Sequence, residues 1–411
     1  MKPMARSQSK SKKWLQFSVL LVCIGTCLQS TSKAQVGQPS PTHQKPLWSA
    51  NPKQVGYNGA LSYAFHLSTS HSYHPRIGGD IVKIQFLDPE RLALAWLTPD
   101  DGVKKPVTRP IDRPSHLHLS ILDAKNGQQV SYHEWACSSL GTNLAYTASG
   151  QWLLSSNESV TLFSSSFEKI RGLEHVRTQR GNFVSPSGRT FLLSVSISPN
   201  AWTPQLRDST NLDVLDSWDD SKFAEGYFKY SDRFILAETG KPPQLFIREV
   251  GKSWNPFSSE VDNSHPVTVR TYEFLNNDTV VKLLGHELVV ETIGGTELFK
   301  QTVPEAGLFF DSSPTSAITA GGERFAVILD RMRGLHSEPL DMYPFPSDDR
   351  VMVYSLIQRR SIFSLKVKGI SPWYPNSTWN RIALSPDGLL LGIVSDEGVR
   401  VYALPPTQLS P

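Results

Sequence analysis

The sequence predicts an all-β fold, a seven-bladed β-propeller of four-stranded antiparallel blades whose ring is closed by an N-terminal strand. Three observations carry that reading. A unit of apolar strand, tight polar turn and apolar strand recurs with about forty to sixty residues between copies. A second hairpin follows the first within each unit, and helical 3.6-residue periodicity is scarce in a chain punctuated throughout by 29 Pro and 27 Gly. No segment carries a specific catalytic or cofactor motif, so the architecture is legible in the residues and the activity is not.

Residues 1–34 read as a signal peptide. Lys2, Arg6, Lys10, Lys12 and Lys13 make a basic start, and the apolar run from Trp14 to Leu28 is interrupted by Gln16, Ser18 and Thr26. That run is shorter than the roughly twenty residues needed to span a bilayer. Ser32-Lys33-Ala34 places small residues where signal peptidase reads them, so cleavage is expected before Gln35. An uncleaved anchor and a lipoprotein built on Ile24-Gly25-Thr26-Cys27 are the alternatives, although Thr26 fits poorly before a lipidated cysteine. The expectation is an exported bacterial protein, periplasmic or secreted, with no membrane attachment beyond the signal. Cleavage would leave Cys137 as the single thiol and rule out an intramolecular disulfide. In Trp135-Ala136-Cys137 it reads as a buried inert thiol rather than a nucleophile assisted by His133.

The net charge of +3 is small, and no basic block follows the signal, so a nucleic-acid partner is not expected. Residues 35–59, with Pro39, Pro41 and Pro46, read as a flexible leader.

The repeats then run from residue 60 to 404. Their first turns fall at Asp88-Pro89, Ser149-Gly150, Ser187-Gly188, Ser231-Asp232, Asn276-Asn277, Gly321-Gly322 and Asp387-Gly388. The clearest copy is Arg381-Ile382-Ala383-Leu384, the turn Ser385-Pro386-Asp387-Gly388, and a return from Leu389 to Val394. Seven marks give seven blades.

Second hairpins supply the other two strands of each blade. They begin at Leu119 to Asp123 with the turn Lys125-Asn126-Gly127, at Thr161 to Phe163, at Leu212 to Leu215, at Leu245 to Ile247, at Leu288 to Ile293, at Val351 to Leu356 and at Val399 to Tyr402. In the last unit Pro405-Pro406 ends strand structure before a fourth strand, leaving residues 405–411 as a tail. Ala60 to Leu67, with Leu61, Tyr63, Phe65 and Leu67 at alternate positions, is expected to supply the missing strand beside Val399 to Leu404 and protect the edge.

Ala383-Leu384-Ser385-Pro386-Asp387-Gly388 leading to Val399-Arg400-Val401-Tyr402, and Val184-Ser185-Pro186-Ser187-Gly188-Arg189 as a weaker copy, resemble the WD-repeat-like and quinoprotein-like propellers of exported bacterial proteins over residues 77 to 404. The resemblance is of fold, and such propellers host binding, scaffolding, lactone hydrolysis and redox chemistry alike. No Trp-Asp pair ends a third strand, and Trp218-Asp219 falls in a turn.

No catalytic, cofactor-binding or metal residue is assigned, and no cofactor is expected. His116-Leu117-His118 puts two imidazoles on one strand face, with His133 or Asp112 as a possible third ligand, but a solvent-facing pair is the favoured reading. His66, His71 and His74 read as loop histidines. Asp213, Asp216, Asp219 and Asp220 lack the order of a calcium loop and read as a solvated turn. His286-Glu287 lacks the second histidine of a zinc protease motif, since Val290 stands there. A nucleophile elbow, a phosphate loop, a dinucleotide fingerprint and the tryptophan docking repeats of quinone propellers are absent from the sequence.

Two insertions remain, Thr98 to Pro114 and Arg331 to Asp349. Each lies between the second and third strands of its blade, so both should emerge from one face of the disc. The functional expectation is a monomeric, non-enzymatic scaffold that binds a protein, peptide or glycan through that face. The alternative is a hydrolase or lyase with its site at the central channel.

Overall fold

A computed structural model of the protein describes residues 45–55, 82–99, 114–138, 142–178, 183–198, 201–219, 227–239, 244–257, 270–302, 308–310, 317–331, 348–368 and 381–406, apart from 157, 285–286, 320 and 396. All of them fall in the compact unit Gln38–Pro411.

Their strands form seven antiparallel sheets, and the chain is a seven-bladed propeller. Blade I comprises Val82–Phe86, Arg91–Pro99, Pro114–Asp123 and Gln129–Ser138, and blade II Asn143–Tyr146, Trp152–Ser156, Ser159–Phe163 and Lys169–Glu174. Blade III runs Val176–Thr178, Thr190–Ser198, Ala201–Asp208 and Val214–Ser217; blade IV runs Tyr227–Tyr230, Phe234–Thr239, Gln244–Glu249 and Trp254–Pro256. Blade V is Arg270–Phe274, Thr279–Leu284, Glu287–Thr292 and Glu297–Thr302. In blade VI the first strand is broken into Leu308–Phe310 and Ala317–Ile318, both paired with Arg324–Arg331, which leads to Asp348–Ser355 and Arg360–Lys368. Every one of the seven turns expected from sequence lies between the first and second strands of its blade.

Closure of the ring is visible in the buried clusters, because each one joins successive blades. Leu192 and Trp218 of blade III pack with Phe228 and Ile235 of blade IV, Val281 of blade V with Phe325 of blade VI, and Val353 of blade VI with Ile382 of blade VII. Ala145 of blade II meets Phe191 of blade III, and Leu236 of blade IV meets Phe274 of blade V. One large cluster spans the rest, from Val399 of blade VII through Leu92 of blade I to Trp152 of blade II. Alternate residues of each strand thus face opposite neighbours, as the period-2 geometry of a strand buried on both faces requires.

Blade VII corrects two expectations. Its sheet contains Ile382–Leu384, Leu390–Ser395 and Gly398–Ala403, and the fourth strand is Trp48–Ala50, with Trp48 opposite Val401 and Ala50 opposite Val399. The position foreseen for Ala60 to Leu67, which lie outside the described residues, is therefore filled from within the segment read as a flexible leader. The reason is Trp48: its indole is buried, donates from Nε1 to the Ala124 carbonyl at 2.7 Å, and packs on Gly127 in the outer turn of blade I. Gly127 has φ +75 and no side chain, and a Cβ there would sit 2.6 Å from the indole, so the glycine both makes the turn and admits the ring.

In blade III, Ala201–Asp208 is the third strand; the segment foreseen as third, Leu212 to Leu215, instead leads into the outermost strand, Val214–Ser217. Pro204 disguised the strand. Its carbonyl accepts from Trp218 N on the outer side, so its missing N–H faces that same side, beyond the end of the outer strand, where no ladder bond is lost.

Candidate functional site

Two places on this scaffold gather polar chemistry. The first is on blade I, where Pro114–Asp123 pairs with both Arg91–Pro99 and Gln129–Ser138. The register sets Trp96 and Glu134 on either side of His118, and Thr98 beside His116, so these side chains share one sheet face. Leu92 lies on that same face and packs against Gly392, which turns the face towards blade VII and the seam.

A directed hydrogen-bond chain results. Thr98 Oγ1 lies 2.6 Å from His118 Nε2, His118 Nδ1 lies 2.6 Å from the Tyr132 hydroxyl, and that hydroxyl donates to Glu134 Oε2 at 2.9 Å. His116 Nδ1 sits 2.7 Å from Glu134 Oε1. Because the Tyr132 proton goes to the carboxylate, its oxygen must accept from His118 Nδ1–H, which leaves Nε2 to accept from Thr98. Burial holds His118 below the usual imidazole range, with Glu134 pulling the other way. Burial, helped by the Glu134 hydrogen bond and charge, pushes the Tyr132 phenol up to about 12, and Tyr132 in turn keeps Glu134 ionised. Trp96 stacks on His118 with ring centroids 5.2 Å apart, locking the ring in place. Trp96 is buried and the His118 side chain is 13% exposed, while 37% of His116, 42% of Glu134 and 44% of Tyr132 are open to solvent.

The pair His116 and His118 is therefore not simply solvent-facing. The acidic partner that sequence reading missed is Glu134. His133, one of the two foreseen third ligands, faces the other way and lies tilted against Phe167 of blade II, ring centroids 3.7 Å apart; Asp112 lies outside the described residues. Among the described residues no group of three or more His, Cys, Asp or Glu side chains is arranged to hold a metal ion.

The network lies at the base of the first insertion, between Pro99 and Pro114, and the second leaves blade VI between Arg331 and Asp348. Both connect second to third strands, as expected, and blades VI and I flank blade VII. The strand ends from which the two insertions leave therefore belong to the blades on either side of the seam blade.

The second place is the central channel. A cavity of about 240 Å³ is lined by inner-strand and turn residues of blades I, II, III, VI and VII, among them Lys83, Gln85, Tyr146, Phe183, Ile318 and Leu384. Gln85 donates to the Tyr146 carbonyl at 3.2 Å and accepts from Tyr146 N at 3.1 Å, and Lys83 Nζ donates to the Leu144 carbonyl at 2.5 Å and to Asn143 Oδ1 at 3.3 Å. These two side chains act as a surrogate strand, satisfying the inner edge of blade II that the channel would leave unpaired. Burial lowers the Lys83 amine to about 8.

The other residues singled out by sequence divide as follows. Asp216 is not a solvated turn residue: it is buried and takes two hydrogen bonds from Arg248, at 2.8 and 2.9 Å, and one from Gly251 N. Asp213 pairs with Arg171 of blade II at 3.0 Å. Cys137 is half-buried, and burial raises its thiol, as an inert cysteine requires. His66, His71, His74, Asp220 and His286 lie outside the described residues.

No protein-family model matches the chain, and no curated protein is detectably similar to it in sequence. Solved structures do show likeness. A chain of the mitotic checkpoint complex is 11% identical with a TM-score of 0.48, over 90% of this chain and 97% of that one. The hydrazine synthase of Kuenenia stuttgartiensis is 11% identical with a TM-score of 0.44, over 83% and 99%. A putative TolB from Agrobacterium tumefaciens is 13% identical with a TM-score of 0.36, over 67% and 94%. Fold-level similarity is all that identities of this size express, and the architecture rests on the seven sheets themselves.

Proposed function

We propose that the protein is an exported, monomeric scaffold that binds a protein, peptide or glycan through the face carrying the two insertions, without chemistry of its own. The observation that supports it most is the blade I network. A Trp96-stacked, hydrogen-bonded His118 and Tyr132 hold Glu134 and His116 half-exposed at the root of an insertion, a rigid polar and aromatic platform of the kind that anchors ligands at low entropic cost. A binding face needs only donors, acceptors and an aromatic edge held in place.

The test uses the protein from Gln35 onward, immobilised against extracts and culture medium of the source organism and against a glycan array. His116→Ala, Tyr132→Ala and Glu134→Ala together should reduce capture of the bound ligand about tenfold or more, as expected for loss of charge-assisted hydrogen bonds. Glu90→Ala with Lys125→Ala, which removes an ion pair between the two turns at the other end of the same blade's strands, should leave capture unchanged. Equal capture by the triple variant overturns the assignment of this face, and an intact chain beginning at Met1 in the mature protein overturns export.

A further inference from the structure

Lys83 stands apart from the other lysines packed between blades. Lys229 holds Glu273 at 2.6 Å and Lys282 holds Glu291 at 2.5 Å, so each of those charges is neutralised where it is buried. Lys83 has two hydrogen-bond partners, both neutral oxygens, and no described carboxylate within ion-pair distance. Its third donor has no protein acceptor among the described residues, and the residue lines the channel cavity. The other polar groups around that cavity are already committed. Gln85 is bound to the Tyr146 backbone, and the hydroxyls of Ser185 and Ser187 are directed to Asp232, at 2.8 and 2.7 Å. Phe86, Phe183, Ile318, Ile382 and Leu384 supply apolar wall.

We propose that the channel cavity is a binding site for a small ligand with an apolar body and one oxyanion group, carboxylate or phosphate, anchored by Lys83. The cavity's volume of about 240 Å³ suits a ligand of roughly one aromatic ring and its charged substituent. An unpaired cation half-enclosed by protein is the feature an anion would complete, because the pair is formed where water competes least. The coupling has a direction. Burial without a counter-charge lowers the Lys83 amine to about 8, so above that pH the empty site is neutral, and an arriving anion must draw a proton onto the amine.

The experiment is isothermal titration of the protein with benzoate, phenyl phosphate and the neutral benzyl alcohol. One of the two anions should bind at least about tenfold more tightly than the alcohol, and which one does distinguishes a carboxylate site from a phosphate site. Lys83→Met should remove that preference while the thermal melt stays within a few degrees, and Lys83→Arg should retain part of it. At pH 9, titrations in two buffers of different ionisation enthalpy should show proton uptake by the wild type on anion binding. Failure of both anions to bind, equal binding by a folded Lys83→Met, or no proton uptake at pH 9 overturns the proposal. Should Lys83→Met fail to fold, Lys83→Arg and the wild-type proton uptake decide.

Discussion

Trp48→Ala tests the seam directly. Trp48 is only 9% exposed, its ring covers Gly127, and its indole N–H is bonded to the Ala124 carbonyl, so the substitution removes the largest side chain with which the borrowed strand of blade VII holds blade I. Truncating a buried tryptophan costs about 3–5 kcal/mol, and the loss is felt in the seam because the strand spans only Trp48–Ala50 and has no second large anchor within it. A propeller of this size unfolds with an entropy near 0.7 kcal/mol/K, from roughly 2 cal/mol/K per residue, so the melting temperature should fall by about 4–7 °C. Trp48→Phe keeps most of the ring and loses the hydrogen bond, and should cost about 1 kcal/mol, or 1–2 °C. Leu47→Ala, at a site 52% exposed beside it, is the control and should be silent. Differential scanning calorimetry of the three variants and the wild type reads all of this. A Trp48→Ala melt within 1 °C of wild type would refute closure through this strand.

Three further outcomes follow from the packing and the charges. A Cβ on Gly392 would lie 2.9 Å from Ile84 Cδ1 and 3.3 Å from Phe86, so Gly392→Ala should destabilise the join of blades VII and I by about 1–3 kcal/mol, and adding Ile84→Val should recover part of it in a denaturant double-mutant cycle. Lys83 titrates near 8 folded and near 10.5 unfolded, so between those values the unfolded chain binds more protons and stability rises with pH; compared with Lys83→Met, the wild type should gain up to about 3 kcal/mol from pH 8 to 10.5 in urea melts, and a flat difference would refute the burial of this amine. Glu134→Gln removes the charge that supports protonation of His118, so the His118 imidazole, already lowered by burial, should titrate at still lower pH by NMR, while the Tyr132 phenol should fall back from about 12; an unmoved His118 would break the hydrogen-bond chain as described.

Much of the fold was legible because blade construction is local. Ser385-Pro386-Asp387-Gly388 closes its turn by a bond from Gly388 N–H to the Ser385 carbonyl, with Asp387 accepting from Leu389 N–H, and the turns at Gly150, Gly188 and Gly322 repeat the bond across three residues. The apolar runs on either side could be read as strands for the same reason. The site was less legible because it depends on register. A bulge between Ile121 and Leu122 skips Val130 in the pairing of blade I's outer strands, and this shift brings Glu134 opposite His118. Counting from the Asn126-Gly127 turn does not reveal it. Lys83 and Gln85 alternate with Ile84 and Phe86, and in an innermost strand their side meets the bare edge of the next blade, a contact that sequence reading missed.

The residues along the chain determined how many blades there are, where each turns, and which segments leave blades I and VI as insertions, since all of these follow from patterns within about ten residues. The tertiary structure alone decided which segment closes the ring and which polar groups meet. Trp48 finds Ala124 across 76 residues, and three residues, Trp48–Ala50, carry too little alternation to announce a strand. Their place is set by a ring-shaped space on Gly127 that exists only once blade I is folded, and long-range fits of that kind leave no periodicity in the sequence to read.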